Sequence, residues 1–314
     1  MSASAPSLCV VIPAYNDHAA LLGCLESLHA DVHEAPRIVV VDDGSSDATA
    51  EHVRRRFPSC ELLALTRNGG FASACNAGFE VALAGGAECV LLLNQDTRVA
   101  PNMVARLAQF LRDHPRAGIV APKTYSFDGM PDGGQRLIYA GSWQGWLPLL
   151  QRIPGIERAD DGAASEPIRV DFAWGHGMLL RATLLRALGG FDATFPMYYE
   201  DLDLCRRARA AGWEVWCEPR AVMWHDQPDG ARALRSEYWR WACKVHSTSI
   251  YYRKHHGDLA ALALTPVTLL AELRRLVTGG RARAAGHLLR ACALAFLGRG
   301  EPRRAPGLQQ DRTR

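Results

Sequence analysis

Acidic and amide side chains follow two apolar runs of the chain at the point where each run ends. The run 38–41 leads directly into Asp42 and Asp43, and a second run leads into Asn94 and Asp96. Oxygens of this kind accept hydrogen bonds from a nucleoside or ligate a hard cation. Asp and Asn also favour turns, so either run alone indicates no more than a loop. Two such ends together favour one crevice for a divalent metal and a phosphorylated ligand.

A glycine pair precedes a predicted helix in the segment Arg67-Asn68-Gly69-Gly70. Glycine before a helix N-terminus permits the close approach of an anion. Arg67 could pair with a phosphate or stack on a base. On its own the segment is typical of an ordinary loop. It indicates an anion-binding site only together with the neighbouring motifs.

One carboxylate of the segment Glu200-Asp201-Leu202-Asp203 faces the protein interior. At 100° per residue, Asp201 lies within the apolar stripe of the helix, whereas Asp203 lies on the solvent side. A carboxylate that faces the interior must either have hydrogen-bond partners or serve a function. An ionised carboxylate in a cleft is what a general base requires. Alternatively, these acids only offset the positive end of the helix dipole. That interpretation explains Glu200 and Asp203 better than it explains Asp201.

Histidine and tryptophan side chains supply further candidates. His225 follows the apolar run 221–224, where it could complete a metal or phosphate site, although a lone histidine is more often structural. Trp174 is one of eight tryptophans, whose flat apolar faces suit sugar rings. Core packing remains the default interpretation for any one of them.

Alternating strand and helix signals must position these residues. The predicted strands are 8–12, which Pro13 ends, then 38–41, 61–65, 90–93 and 119–121. The predicted helices are 18–29, 47–57 (with a serine cap), 71–84 and one that Pro101 opens. This alternation predicts a parallel sheet with right-handed crossovers.

The second half of the chain is less regular. Residues 127–169 are rich in Gly, Pro and aromatic residues, which indicates either a structured insert or a mobile lid. Order resumes with predicted strands and helices at 170–181, 182–188, 200–211, 213–216 and 221–224. Beyond residue 235 the pattern is mainly helical, with amphipathic segments near 259–277 and 283–297.

Composition bounds the class of protein. The chain has 314 residues, of which 48% are hydrophobic and 22% charged, as in ordinary globular proteins. Residues 273–314 hold ten arginines and two acids, which indicates an anionic partner or a solvated tail. Nine scattered cysteines argue for a reducing compartment. Without an evident signal peptide or spanning segment, we expect a cytoplasmic protein, peripheral on the inner face of the plasma membrane.

Five spaced motifs resemble those of family 2 glycosyltransferases, in the bacterial rhamnosyltransferase-like branch. The resemblance covers about residues 8–230. The motifs are VVIPAYN (10–16), VVDDGSSD (40–47), RNGGFASACNAG (67–78), LLLNQDT (91–97) and GGFDATFPMYYEDLDLCRRARAAGW (189–213). The resemblance implies an α/β fold of GT-A type, a Rossmann-like sandwich whose mainly parallel central sheet is flanked by helices, with a helical C-terminal extension.

The resemblance also implies roles for the donor-side residues. The nucleotide would be held by Pro13, Tyr15, Asp43 and Arg67, with Asp42 as a helper. Asp96 would ligate a divalent metal, Mg²⁺ or Mn²⁺, with His225 as a further metal or diphosphate contact. Asn94 replaces the first aspartate of the family's DxD-type motif, which removes one charge from the metal site.

On the acceptor side, the resemblance implies that Asp201 is the base that deprotonates the acceptor hydroxyl. Trp174, His176 and Glu200 are expected near the acceptor. The expected activity is inverting transfer of a sugar, rhamnose being the one this branch indicates, from a nucleoside-diphosphate sugar to a hydroxyl of a cell-surface glycan or lipid-linked acceptor.

Two alternatives remain open at this point. A sugar-phosphate nucleotidyltransferase would need a Gly-rich basic loop after the first strand, where this chain has Pro13-Ala14-Tyr15-Asn16. A non-catalytic nucleotide-sugar-binding scaffold would not need the acids.

We expect a transferase domain at 1–235 (nucleotide half 1–125, acceptor half 126–235) and a basic helical extension at 236–314. That extension could meet an anionic membrane surface, and no nucleic acid partner is expected.

Overall fold

A computed structural model describes residues 7–31, 36–127, 137–139, 165–225, 231–278 and 289. These residues form two compact units, one within 1–193 and 200–227, the other within 194–199 and 228–314. Most of the predicted insert at 127–169 and the predicted helix at 283–297 lie outside the described residues.

The first unit contains a sheet with helices packed on it. Its strands are β1 Leu8–Ala14, β2 Arg37–Asp42, β3 Glu61–Ala64, β4 Cys89–Leu93, β5 Thr97–Val99, β6 Ala117–Ser126, β7 Leu137–Tyr139, β8 Ile168–Arg169, β9 Gly177–Arg181 and β10 Glu214–His225. Its helices are α1 His18–Asp31, α2 Thr49–Arg56, α3 Phe71–Ala84, α4 Met103–Asp113, α5 Ala182–Leu188 and α6 Glu200–Ala210.

The described strands form one mixed sheet. Their order is β3-β2-β1-β4-β9-β6-β10-β5, with β7 beside β6 and β8 beside β10. Parallel pairing joins β3, β2, β1 and β4, and also β6 with β10, whereas β9 runs antiparallel between β4 and β6. The predicted α/β class, a central sheet flanked by helices, is confirmed.

The central strands are apolar throughout because both of their faces are covered. Val10 and Ile12 of β1 share one core cluster with leucines of α1 and α4. Residues of the other face meet α3, where a Cβ on Gly78 would stand only 2.3 Å from Val11 Cγ1. The absence of a side chain at Gly78 therefore lets α3 lie close to the sheet.

Strand β1 continues through Pro13 instead of ending before it. Pro13 pairs with Val41 of β2, while the pairing of β1 with β4 stops at Val11. Because β4 no longer pairs on that side, the missing N–H of Pro13 costs no ladder hydrogen bond. The prediction that Pro13 ends the strand is therefore wrong by two residues.

Two further local predictions differ from the structure. The segments 213–216 and 221–224 belong to the single strand β10, which has an irregularity between Glu218 and Val222. The N–H of Arg220 donates to the Glu218 carboxylate within this irregularity. Helix α2 lacks the predicted serine cap, because the carboxylate of Asp47 accepts the N–H of Thr49 instead, at 3.0 Å.

The second unit contains helices α7, Ala231–His256, and α8, Asp258–Thr278, which pack against each other. The predicted amphipathic helix at 259–277 is confirmed, and it continues through Pro266. Within this unit, the buried Ser247 hydroxyl donates to the carbonyl of Met197 at 2.8 Å. Among the helices that the structure describes, none combines the length and apolar character that crossing a membrane requires.

Candidate active site

The loops after β1, β2 and β4 meet at one edge of the sheet. Ala14 is the register partner of Asp42, and the Ala14 carbonyl accepts the N–H of Asp43 at 2.8 Å. The Gln95 amide accepts the N–H of Tyr15 at 2.8 Å and donates to the Asn16 carbonyl at 3.1 Å. The loop after β1 thus contacts both acidic strand ends that were predicted to share a crevice. The sequence suggested Gln95 as a metal ligand, and the structure shows it joining two loops.

Asp43 holds the glycine loop against the end of β2. Its buried carboxylate accepts the N–H groups of Gly69 at 2.7 Å and Gly70 at 3.0 Å. Gly44 has a φ of +70°, and a Cβ there would lie within 3 Å of the Arg67 backbone. Only glycine permits this approach, which leaves the Arg67 side chain exposed beside the loop.

Asp42 and Tyr15 differ in their surroundings. The carboxylate of Asp42 is buried and accepts the N–H of Ser45 at 3.0 Å, which is the turn arrangement expected of such a residue. Tyr15 is exposed and follows the buried Pro13 by two residues. Tyr15 is therefore accessible to a ligand, whereas Asp42 shapes the turn after β2.

Asn94, Asp96 and His225 form a cluster beyond the end of β4. His225 Nε2 lies 3.1 Å from Asp96 Oδ1 and 3.4 Å from the Asn94 amide nitrogen. The antiparallel pairing of β10 with β5 aligns His225 with Thr97, the residue after Asp96. This pairing explains why residues 129 positions apart meet, since 225 and 96 lie at neighbouring register positions.

The donor set of this cluster fits a divalent cation. Buried Asn94 Oδ1 and His225 Nδ1 have no hydrogen-bond partner within the described residues. No three His, Cys, Asp or Glu side chains are grouped for a metal in the described part of the chain. The third donor here is an amide oxygen, which Mg²⁺ and Mn²⁺ accept alongside a carboxylate.

His176 packs behind this cluster. Its ring stacks on that of His225 with centroids 4.6 Å apart, and its Nε2 lies 3.2 Å from the Thr124 hydroxyl. Burial lowers the pKa of His176 well below its usual value, and the neighbouring His225 lowers it further. The rings of Trp174 and His176 are also stacked, with centroids 6.4 Å apart. The ring of His176 thus supports that of His225.

Asp201 lies beside the helix that follows the glycine loop. It is 5% exposed, and its carboxylate accepts the N–H groups of Gly175 at 2.9 Å and Leu202 at 2.8 Å. Burial raises the pKa of Asp201 to about 6, against the effect of these hydrogen bonds. A Cβ on Gly175 would touch Phe71, the first residue of α3, at 3.1 Å. The inward orientation predicted for Asp201 is confirmed.

Glu200 is buried next to Asp201. Its Oε2 atom has no hydrogen-bond partner among the described residues. Burial raises the pKa of Glu200 well above its usual value, and the neighbouring Asp201 raises it further. This environment favours the neutral form of the carboxyl, which can donate a hydrogen bond.

Asp203 is buried, so its predicted solvent-side position is wrong. Its exposure is 0%, and its carboxylate accepts a hydrogen bond from Arg207 Nε at 2.7 Å, one turn along α6. Arg207 also donates to the carbonyls of Leu188 at 2.9 Å and Gly190 at 2.7 Å. The helix wheel placed Asp203 away from the apolar stripe, but the end of α5 covers that side.

Comparison with protein families shows the family to which this chain belongs. The sequence profile of glycosyl transferase family 2 matches residues 9–189, more than half of the chain. The chain belongs to glycosyl transferase family 2. A second profile, that of glycosyl transferase family 21, matches residues 157–278. A glycosyltransferase activity is supported by the family profile, and the rhamnosyltransferase-like resemblance is supported by a relative in sequence.

Three relatives illustrate the similarity. The N-acetylglucosaminyl-diphospho-decaprenol L-rhamnosyltransferase of Mycobacterium tuberculosis is 29% identical over 263 residues, covering 79% of this chain and 84% of the relative. The mannosyltransferase PcManGT of Pyrobaculum calidifontis, solved with GDP-Man and Mn²⁺, has a TM-score of 0.57 at 20% identity, covering 93% and 81%. GalNAc-T7, solved with UDP, GalNAc and Mn²⁺, has a TM-score of 0.58 at 16% identity, covering 78% and 51%. These two structures establish the GT-A fold of this glycosyltransferase.

Sequence reasoning did not predict the contacts by which several residues organise the site of this glycosyltransferase. Gln95 joins two loops, and Gly175 supplies an N–H to Asp201. The Asn76 amide exchanges two hydrogen bonds with the backbone of Phe191, at 2.8 and 2.9 Å. Of these contacts and those of Arg207, only the Asp203–Arg207 pair could have been predicted from the sequence, because a spacing of four is that of a helical ion pair.

Proposed function

We propose that this family 2 glycosyltransferase transfers a sugar, with inversion at the anomeric carbon, from a nucleoside-diphosphate sugar to an acceptor hydroxyl. One observation carries the proposal. Gly175, whose N–H holds the buried Asp201 carboxylate, lies against Phe71, which directly follows the loop bound by Asp43. Direct displacement at one carbon requires the base that activates the acceptor to lie close to the bound donor.

The donor nucleotide is proposed to lie against the loops after β1 and β2. Tyr15 offers an exposed ring for the base, and the carboxylate of Asp43, which holds the glycine loop, is the proposed contact to the nucleoside. Asp42 supports this site through its turn. Arg67, exposed at the start of the glycine loop, is placed to pair with the diphosphate.

A divalent metal is proposed at Asp96, His225 and Asn94. Mg²⁺ or Mn²⁺, when bound, would neutralise charge on the leaving diphosphate. Asp96 supplies the only carboxylate of the three, so affinity should be weaker than in a site with two. His176 orients the His225 ring by stacking on it.

The acceptor is proposed to approach from the side of Asp201. A carboxylate with a pKa of about 6 is ionised at neutral pH yet is a better base than an ordinary aspartate. It takes the proton of the acceptor hydroxyl as the oxygen attacks the anomeric carbon and the bond to the diphosphate breaks. Glu200, when neutral, can donate a hydrogen bond to the same acceptor, and Trp174 offers an apolar face for a sugar ring.

The proposed donor and acceptor are supported by the similarity to a curated relative. The 29% identity to a rhamnosyltransferase that acts on a decaprenol-linked substrate supports an activated rhamnose as donor and a lipid-linked glycan as acceptor. Such a reaction belongs at the cytoplasmic face of the cell membrane, in the synthesis of a cell-envelope polysaccharide. A nucleotidyltransferase or a non-catalytic scaffold is not favoured, because the chain belongs to a transferase family and retains the acids.

A donor screen with the full chain tests this proposal. Nucleoside-diphosphate sugars, including activated rhamnose, are each incubated with Mn²⁺ and a polyprenyl-diphosphate N-acetylglucosamine acceptor, and released nucleoside diphosphate is measured. We expect acceptor-dependent release from one donor. Pyrophosphate formation from a nucleoside triphosphate and a sugar 1-phosphate would instead identify a nucleotidyltransferase. Donor binding without release under all conditions would identify a scaffold.

A further inference from the structure

Helix α8 exposes a row of large apolar side chains. Leu259 is 83% exposed, Leu262 66%, Leu270 65% and Val267 37%. Single exposed leucines are normal on protein surfaces, but four large apolar residues within twelve positions are not. We call these four residues the leucine stripe.

The leucine stripe occupies one face of the helix. At 100° per residue, its four members span a sector of about 140°. Ala261 and Thr265, on the opposite side, are buried, and α8 packs against α7 within the same unit. The helix therefore has one apolar face inside its unit and a second apolar face outside it.

Positive charge accompanies the leucine stripe. Arg274 is exposed and falls within the same sector, one turn beyond Leu270. After Asp258, α8 contains one acid, Glu272, which at 100° per residue falls outside the sector of the stripe, and residues 273–314 carry a net charge of +8. Asp258, at the start of the helix, is paired with Arg253 at 3.0 Å. An outward apolar face bordered by arginine is the pattern of a helix that lies in a lipid interface.

We propose that α8 docks on an anionic lipid bilayer, with the leucine stripe in the acyl boundary and Arg274 at the phosphate level. The positive charge beside the leucine stripe favours an anionic bilayer over a second copy of the chain. A second copy of the chain would bring Arg274 and its basic neighbours against the same charges. The stripe also offers only a few hundred Å², below the ~800 Å² per partner of a stable interface. The inference is independent of the sugar-transfer chemistry, since its measurement is binding alone.

Vesicle co-sedimentation of the full chain tests the proposal. Vesicles of phosphatidylcholine alone are compared with vesicles containing 30% phosphatidylglycerol. We expect the wild type to bind the anionic vesicles and L262Q/L270Q to bind them at least tenfold more weakly, because each leucine contributes about a tenfold factor. R274Q should weaken binding and reduce its salt dependence.

A matched control uses another exposed apolar position on a helix. A105Q, on α4 of the first unit, introduces the same side chain and should leave vesicle binding unchanged. Far-ultraviolet circular dichroism melts verify that each variant is folded. Equal sedimentation of the wild type and L262Q/L270Q would overturn the proposal. So would concentration-dependent dimerisation in the absence of lipid that the double substitution abolishes, since the stripe would then be an interface between copies.

Discussion

The backbone N–H of Gly175 donates a 2.9 Å hydrogen bond to Oδ2 of Asp201. Gly175 lies just before β9, and Asp201 is the second residue of α6, so the bond joins the sheet to the helix that carries the proposed base. It also directs the carboxylate, because Leu202 engages the other oxygen at 2.8 Å. One buried aspartate is thereby held in a single orientation beside the start of α3.

Replacing Asp201 by asparagine should abolish transfer. The amide has the same shape but cannot accept the acceptor proton, so we expect a loss of at least about 10³-fold in kcat. Donor affinity, measured by calorimetry, should change less than about threefold. Asp113→Asn, an exposed carboxylate on α4, is the matched control and should keep full activity. Retained turnover in Asp201→Asn would contradict the assignment of the base.

Transfer should depend on pH through Asp201. Burial raises the pKa of this carboxyl to about 6, and only its ionised form accepts a proton. We therefore expect kcat/KM to fall as the pH decreases, with a midpoint near 6 and about tenfold per pH unit below it. The profile is measured from pH 4.5 to 8.5 at saturating metal. A midpoint near 4, the ordinary value for aspartate, would contradict this environment.

Replacing Asp43 by alanine should weaken donor binding. The substitution removes the acceptor of the Gly69 and Gly70 N–H groups, so the loop beside Arg67 loses its anchor. We expect a loss of stability of about 1–3 kcal/mol per unpaired donor and a donor Kd raised at least about tenfold. Asp47→Ala, which removes the acceptor of the Thr49 N–H, should cost about 1 kcal/mol without changing donor affinity.

Arg207 should contribute far more to stability than Arg209 of the same helix. Arg207→Ala removes the cation that faces the fully buried Asp203 and two backbone carbonyls, so we expect a loss of about 3–5 kcal/mol. Arg209 pairs with Asp171 at 3.1 Å, both partly exposed, and its alanine variant should lose under about 1 kcal/mol. Urea denaturation of the two variants measures the difference. Equal losses would mean that the buried pair contributes no more than a surface pair.

Metal dependence should respond to the charge at position 94. Chelation should remove transfer, and added Mn²⁺ or Mg²⁺ should restore it. Asn94→Asp adds a second carboxylate beside Asp96, so we expect the metal concentration for half-maximal rate to fall about tenfold. Asp96→Asn should raise that concentration by a similar factor or more. Activity that is indifferent to chelation and to both substitutions would rule out a metal at this cluster.

Local sequence patterns were enough to predict much of the fold. The apolar runs 38–41 and 90–93 are strands because helices cover both faces of a parallel sheet. The acids that follow them lie at the same edge of the sheet because parallel strands end at one edge. The helical period alone also placed Asp201 on the inner face of α6. Each of these predictions depends on residues that are near neighbours in the chain.

Contacts between distant residues could not be predicted in the same way. Asp203 lies away from the apolar stripe of its own helix, yet the end of α5 covers it through Arg207. Pairing of β10 with β5 carries His225 to Asp96. Family motifs and periodicity therefore singled out the acids and predicted their class of chemistry. Tertiary packing alone decided which hydrogen bonds orient them, because the orienting partners, such as Gly175 for Asp201, come from other elements of the chain.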